Sequence, residues 1–288
     1  MNPPLSFTPD AEKLRFLQDK IILIKIGGNA LTDPETKKDI AAQVTVLHSL
    51  GIRTVLVHGG GIEIKRLLDE VRLESVFVGG HRKTDEKSIG YVEMALSGMV
   101  NKELVSLLNQ TGLKTVGISG KDGAMVTATK RFYTEGSGDH QKKFDLGFVG
   151  DVVNVDTRLI HTLLDGGFVP VVSPVSAGKN GETYNINADM FAGHLAGALN
   201  AEKFIALTNI DGLLEDVENP ASIIHQLTPD VARKLFGSVI QGGMIPKIES
   251  CLVAIEKGVK TSHIINGTNR EELLRILLTK DKLGTTIA

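Results

Sequence analysis

Two glycine-bearing turns stand where an anion could be held. The apolar run Ile21–Ile26 leads into Lys25-Ile26-Gly27-Gly28-Asn29, and Thr54–Val57 leads into His58-Gly59-Gly60-Gly61, followed by a helix starting near Ile62. Consecutive glycines between a strand and a helix let backbone N–H groups approach an anion closely, beside the positive end of the helix dipole. Ligands of open parallel sheets sit at the carboxyl ends of the strands, so the two loops suggest a site for an anionic small molecule. For either loop alone, tight-turn chemistry is the bland alternative. Further along, Asn185-Ile186-Asn187-Ala188-Asp189 opens a helix and Thr208-Asn209-Ile210-Asp211-Gly212 follows a strand. Gln241-Gly242-Gly243-Met244-Ile245-Pro246-Lys247 opens another helix. Singly these are caps, a turn and a surface lysine. Together, glycines, two lysines and a carboxylate are what phosphoryl transfer asks for, namely positioning and charge neutralisation.

Other chemistries lack their signatures. There is no GxGxxG dinucleotide fingerprint. Gly117-Ile118-Ser119-Gly120-Lys121 is too short for a P-loop and runs into Asp122. His58–Gly61 looks like a hydrolase oxyanion loop, yet no GxSxG elbow exists to use it, and HExxH is absent. No metal cage is evident, so metal ligands are predicted to be none.

The elements that must position these residues follow from the pattern of apolar positions. Ile21–Ile26, Thr54–Val57, Thr115–Ile118, Val169–Ser173, Lys203–Thr208 and Ser262–Ile265 read as buried strands, because apolar residues run on without alternation. Asp39–Leu50, Ile62–Glu74, Asp85–Gln110, Thr157–Asp165, Ala188–Leu199, Pro229–Phe236, Ile245–Lys257 and Arg270–Leu278 carry helical spacing. Thr228-Pro229-Asp230 marks a helix start. This alternation predicts an α/β fold, a mostly parallel sheet with helices on both faces. Residues 121–153 break the rhythm, and the polar stretch Glu135–Lys143 inside them suggests hairpins or a flap against the main sheet. Two lobes meeting at a cleft are expected, the first ending near residue 175.

Length and charge narrow the function classes. The 288 residues suffice for one large α/β domain or two modest ones, and 32 basic against 34 acidic residues leave a net charge of −2. No basic field invites nucleic acid or an anionic membrane. The single cysteine, Cys251, excludes an intramolecular disulfide. The 31 glycines show no collagen-like period and are expected in turns and ligand loops. The charged first twenty residues lack a signal-peptide core, and no uncharged run reaches membrane length. A cytoplasmic protein is expected.

KIGG, VHGGG, GHRKTDE, NINAD, TNIDG and GGMIPK occur here in the order of the amino acid kinase superfamily. Over residues 20–288 the chain most closely resembles its N-acetyl-L-glutamate kinase branch. KxGG is shared across the superfamily, whereas GGG with GHRxTDE, NxNAD and GGMxxK is specific to that branch. The resemblance implies a three-layer αβα sandwich that phosphorylates the side-chain carboxylate of N-acetylglutamate with ATP, the second step of arginine biosynthesis. Residues 1–175 would bind the acyl amino acid and form a dimer, and residues 176–288 would bind ATP. Lys25 and Lys247 fall on the family's catalytic lysines, Asp189 on the aspartate that organises them, and Gly28 with Gly60 would offer N–H groups to phosphate oxygens. Gly60, Gly61, Arg82 and Asn185 match substrate-binding positions, with Arg82 on a carboxylate. Asn209, Ile210, Asp211, Gly212, Leu213 and Gly243 would border the nucleotide, and Mg²⁺ would arrive with ATP. A carboxylate nucleophile, with a reference pKa of about 4.3, needs no general base.

The chain departs from the family at two places. Asn209 stands where an aspartate is usual. Arginine-inhibited members carry a glutamate and, six residues on, a glycine, where Ile276 and Lys282 stand here; ordinary arginine inhibition is therefore expected to be absent. The extension Pro3–Asp19 allows a short helix with Leu14 and Leu17 as its stripe. The apolar face of Asp85–Gln110 fits core or the homodimer contact that the resemblance implies, with a hexamer as a further assembly. The alternatives are a superfamily kinase for N-succinylglutamate or another acyl amino acid, and a silent sensor. The sensor reading is opposed by the presence of Lys25, Lys247 and Asp189.

Overall fold

The computed structural model describes residues 5–136 and 141–288. Asp10 caps a short helix α1, Ala11–Leu17, by accepting from the N–H groups of Glu12 and Lys13. The first half then supplies β1 (Ile21–Ile26), α2 (Pro34–Ser49), β2 (Arg53–His58), α3 (Gly61–Glu70) and the small hairpin β3 (Phe77–Val78) and β4 (His81–Arg82). After α4 (Glu86–Glu93) and α5 (Asn101–Gln110) come β5 (Thr115–Ser119), β6 (Val126–Glu135), β7 (Lys142–Val155), α6 (Arg158–Asp165) and β8 (Val169–Ser173). The rest contributes β9 (Val175–Gly178), β10 (Thr183–Ile186), α7 (Ala188–Ala198), β11 (Lys203–Thr208), β12 (Gln226–Leu227) and α8 (Pro229–Lys234). It ends with α9 (Ile245–Glu256), β13 (Thr261–Asn266), α10 (Glu272–Leu278) and β14 (Thr285–Ile287).

The main sheet has eight strands in the order β12-β14-β13-β11-β1-β2-β8-β5. It is parallel except where β14 runs antiparallel to β13. Successive side chains of a strand face opposite ways, and β1 shows the consequence. Leu23 joins a core with Phe191, Leu195, Phe204 and Ile248, under α7 and α9. Ile22, Ile24 and Ile26 join a second core with Val44, Leu47, Leu104 and Leu274, under α2, α5 and α10. The result is the expected αβα sandwich. Strands up to β8, which ends at Ser173, extend to one side of β1 and those from β11 onward to the other, so the strand order reverses at the β1–β11 pair. That is where open α/β sheets leave a crevice beyond the carboxyl ends of their strands.

The structure corrects two expectations. The stretch Asp85–Gln110 is not a single α-helix, because Met94–Val100 between α4 and α5 winds as a π-helix. There Leu96 and Val100 lie against the Gly60 loop, and Ser97 Oγ is 2.7 Å from Ser173 Oγ. Apolar spacing does not reveal one extra residue per turn. The expected flap is more than a hairpin: β6 and β7 close with β9 and β10 into a four-stranded barrel. Residues 137–140, inside the polar stretch Glu135–Lys143, and residues 1–4, inside the N-terminal extension, lie outside the described residues. Among the described residues, no helix is long and apolar enough to cross a membrane.

Candidate active site

Lys25 projects from β1, one residue before its end, and only 5% of its surface is exposed. Its Nζ lies 2.7 Å from Asp189 Oδ1, and Lys247 Nζ lies 3.3 Å from Asp189 Oδ2. One carboxylate thus bridges two ammonium groups. Burial pulls the Lys25 ammonium below the usual lysine range, Asp189 pushes it back up, and Lys247 pulls it down again. Burial would raise the Asp189 carboxyl, but the two lysines outweigh it and hold it below the usual carboxylate range. Two lysines against one carboxylate leave a spare positive charge in a poorly solvated place, a state that an anionic ligand relieves.

The local sequence explains how the three meet. Asn187 caps α7, its Oδ1 accepting from the N–H groups of Asp189 at 2.9 Å and Met190 at 3.2 Å, which fixes Asp189 in the first turn. Lys247 sits in the first turn of α9, where the helix dipole disfavours a cation. Its pairing with Asp189 accounts for it there. Gly27 is needed for room: a Cβ at that position would overlap the Lys25 ammonium.

These groups open on a cavity of about 540 Å³. Gly60 and Gly61 line it at the start of α3, Ala188 and Asp189 at the start of α7, and Pro246 at the start of α9, so three helix N-termini converge on it. Gly28 lines it with φ of 58°, a left-handed conformation that favours glycine. A Cβ on Gly60 would come within 2.8 Å of Leu96 Cδ2 and 3.2 Å of Val100 Cγ2.

Arg82, on β4, also lines the cavity and donates from Nη2 to the Gly61 carbonyl at 2.9 Å and from Nη1 to Ser75 Oγ. Its guanidinium lies 4.7 Å from the centre of the half-exposed Phe77 ring. Asn185 Nδ2 donates to Thr84 Oγ1 at 3.4 Å on the barrel side. The cavity thus offers a guanidinium suited to a carboxylate and, at Lys25, Asp189 and Lys247, a cluster suited to a more highly charged anion.

Lys25, Gly28, Gly60, Gly61, Arg82, Asn185 and Asp189 all line this cavity, and Lys247 reaches it through Asp189. The remaining sequence-marked residues do not line it. Asn209 neighbours one lining residue, its Oδ1 3.9 Å from where a Gly28 Cβ would be. Asp211 accepts from Asn266 Nδ2 at 2.7 Å and Asn269 Nδ2 at 3.2 Å, while Ile210 beside it is exposed. Leu213 is buried in the core and donates its N–H to Thr285 Oγ1 at 2.8 Å; a Cβ on Gly212 would come within 2.9 Å of that oxygen. Gly243 faces open space. Sequence reasoning missed Arg131, Asp151, His194 and Glu249, which line the wall between barrel and α9. The Arg131–Asp151 ion pair, at 2.5 Å, spans the two long barrel strands, and nothing in the linear spacing of those residues signals it.

Buried lysines around a carboxylate, at helix N-termini beyond a strand-order reversal, define a phosphoryl-transfer class of site. Residues 20–266 match the Amino acid kinase family, and the chain belongs to it. It is 45% identical over 269 residues to the acetylglutamate kinase of Caldanaerobacter subterraneus subsp. tengcongensis, covering 93% of this chain and 87% of that one. It is 46% identical over 277 residues to that of Geobacter metallireducens, covering 95% and 94%. The solved N-acetylglutamate synthase of Neisseria gonorrhoeae, complexed with coenzyme A and N-acetyl-glutamate, superposes with a TM-score of 0.80 at 27% identity. This chain, 96% of which is matched, spans 61% of that longer protein.

Proposed function

We propose that the protein transfers the γ-phosphoryl group of ATP to the side-chain carboxylate of N-acetyl-L-glutamate, giving N-acetyl-L-glutamyl 5-phosphate for arginine biosynthesis. The observation that carries this reading is the Lys25–Asp189–Lys247 bridge beside a cavity that Arg82 also lines. The names of the 45–46% identical relatives support the substrate.

The nucleophile is already ionised at neutral pH, since a glutamate carboxyl has a pKa of about 4.3. Its oxygen forms a bond to the γ-phosphorus, the bond from that phosphorus to the β–γ bridging oxygen breaks, and ADP leaves with the electron pair. The obstacle is repulsion between two anions. Lys25 and Lys247 neutralise the phosphoryl charge while Asp189 fixes where they stand, and the N–H groups of Gly28 and Gly60 receive phosphoryl oxygens. Arg82 grips the α-carboxylate, for which a planar guanidinium is suited, and Asn185 with Gly61 completes the substrate contacts. Asn209, Ile210, Asp211, Gly212, Leu213 and Gly243 border the nucleotide on the C-terminal side of the cleft. Among the described residues no cluster of three or more His, Cys, Asp or Glu could hold a metal ion. Mg²⁺ would enter as part of the MgATP substrate, carried by phosphate oxygens.

In this reading residues 1–175 form the acyl amino acid lobe, which Asn185 reaches from beyond it, and residues 176–288 form the ATP lobe, while Lys25 and Gly28 meet the phosphoryl group between them. The same reading places the enzyme in the cytoplasm, as a homodimer formed through the helical stretch on which Met94 and Met99 are exposed. The deciding experiment traps the acyl phosphate with hydroxylamine as the hydroxamate, using ATP and N-acetyl-L-glutamate. The expected result is a signal that disappears in Lys247→Ala. Correctly folded wild-type protein that forms no hydroxamate would overturn the reading.

A further inference from the structure

His58 ends β2 directly before the Gly59-Gly60-Gly61 turn and is completely buried. Its Nδ1 lies 2.7 Å from the carbonyl oxygen of Gly59. A carbonyl only accepts, so Nδ1 carries the proton and donates. The other ring nitrogen, Nε2, must then accept, and Asn101 Nδ2 donates to it at 3.1 Å. Asn101, also fully buried, is held in turn: its Nδ2 donates to the Val171 carbonyl at 2.9 Å, and its Oδ1 accepts from Lys102 Nζ at 3.0 Å. The tautomer and the ring plane of His58 are thereby set from the first residue of α5. Nothing in the proposed chemistry uses this histidine as an acid or base.

The consequence lies in the next peptide unit. A trans peptide is planar, with its C=O and N–H pointing in opposite directions. Pinning the Gly59 carbonyl toward buried His58 turns the Gly60 N–H the other way. Gly60 lines the cavity, and its N–H donates to no protein acceptor among the described residues. This peptide is flanked by glycine on both sides, so its plane can rotate more freely than at any other residue pair. A group that must meet a transferring phosphoryl oxygen is the least constrained of its loop unless something outside the loop holds it.

We propose that His58 is a positioning residue for phosphoryl transfer: by donating to the Gly59 carbonyl, with Asn101 setting its tautomer, it aims the Gly60 N–H at the phosphoryl group. The inference rests on the kinase reading, and it assigns to the buried histidine a role in kcat rather than in substrate binding.

Two substitutions separate this role from mere packing. In His58→Asn the side-chain amide nitrogen takes the place of Nδ1, so the hydrogen bond to Gly59 is kept and the one to Asn101 is lost. In His58→Gln the amide reaches the place of Nε2, so the reverse holds. Wild-type hydroxamate formation is the control for the kinase reading, and the two variants are compared with it by kcat, by KM for both substrates and by melting temperature. His58→Gln is expected to lose about 10- to 100-fold in kcat with little change in either KM, below the full loss of an oxyanion donor. His58→Asn is expected to recover most of that loss, though the two melt alike. The proposal is overturned if the two variants have the same kcat, if the order is reversed, or if only KM responds. An inactive wild type would instead overturn the kinase reading.

Discussion

Two partly or wholly buried lysines stand on neighbouring parallel strands, near opposite ends of the sheet, and they meet opposite fates. Lys25, near the carboxyl end of β1, faces Asp189 and shares it with Lys247. Lys203, at the amino end of β11, hydrogen-bonds to neutral partners, Thr261 Oγ1 at 2.9 Å and the nearly buried His263 Nε2 at 3.5 Å, while the charges of Lys13 and Glu202 act on it in opposite directions. Burial lowers the pKa of both lysines. At the first end a carboxylate and three helix N-termini form an electropositive cleft; at the other, hydroxyl and imidazole dipoles absorb one charge without lining that cleft. Burial of a lysine therefore does not mark a site. What marks it is an excess of charge that the protein itself leaves unbalanced, facing open volume.

The sharpest way to break the contrast is to remove its shared anion. Asp189→Ala leaves two facing ammonium groups, one of them deeply buried. It is expected to abolish turnover and to cost about 3–5 kcal/mol of stability, as uncompensated buried charge does. Near-wild-type unfolding in urea would contradict that charge assignment. Next comes Gly60→Ala, whose Cβ would press on Leu96 and Val100. Overpacking of this kind costs about 1–3 kcal/mol, and calorimetry showing an unchanged or raised melting temperature would remove the steric argument.

Smaller again is an effect of pH spanning both ends. Burial holds His58 down to about 4, with the Gly59 carbonyl opposing the shift and Lys102 adding to it. His263 is held at about 3 by burial, Lys203 and Lys13. Both lie below the ordinary 6.5, so the unfolded chain binds more protons through the intervening range. The stabilisation from neutral, buried imidazole is complete above about pH 6.5 and is lost as pH falls toward the folded values, by about 1.4 kcal/mol per pH unit for each histidine. A melting temperature that stays flat over that interval would show that these histidines are not buried as neutral groups. The smallest effect belongs to Lys203→Met, a swap of similar volume at the neutral end. It should leave kcat unaltered and stability within about 1.5 kcal/mol. A large loss of turnover there would erase the distinction between the two ends.

The strands were legible in the sequence because central parallel strands are buried on both faces and read as unbroken apolar runs. The short strands β12 and β14 at one side of the sheet, three residues or fewer, carry no such run and were not foreseen. Strands β9 and β10 were hidden for another reason: Ser-Ala-Gly and Thr-Tyr-Asn become strands only by closing a barrel with distant partners. Of the seven cavity-lining residues marked beforehand, Gly28, Gly60, Gly61 and Asp189 follow strands or open helices and Lys25 stands near the carboxyl end of β1, where the topology of a parallel sheet already places ligands. Arg82 and Asn185 lie on β4 and β10 outside that sheet and were marked through the family resemblance. Arg131, Asp151, His194 and Glu249 come from the faces of strands and helices, so their convergence depends on how the barrel docks on α7 and α9.

By itself the sequence determined the alternation of strands and helices, the glycine turns and the lysine and aspartate types at their ends, since these follow from local apolar spacing and backbone freedom. Tertiary structure alone decided that one carboxylate bridges lysines 222 positions apart. It also decided that a π-helical turn closes over Gly60, and that a histidine reading as part of a glycine motif faces inward to an asparagine on α5. Each of those outcomes is a contact between segments distant in the chain. Such contacts are set by the packing of layers around a common sheet, which no window of the sequence contains.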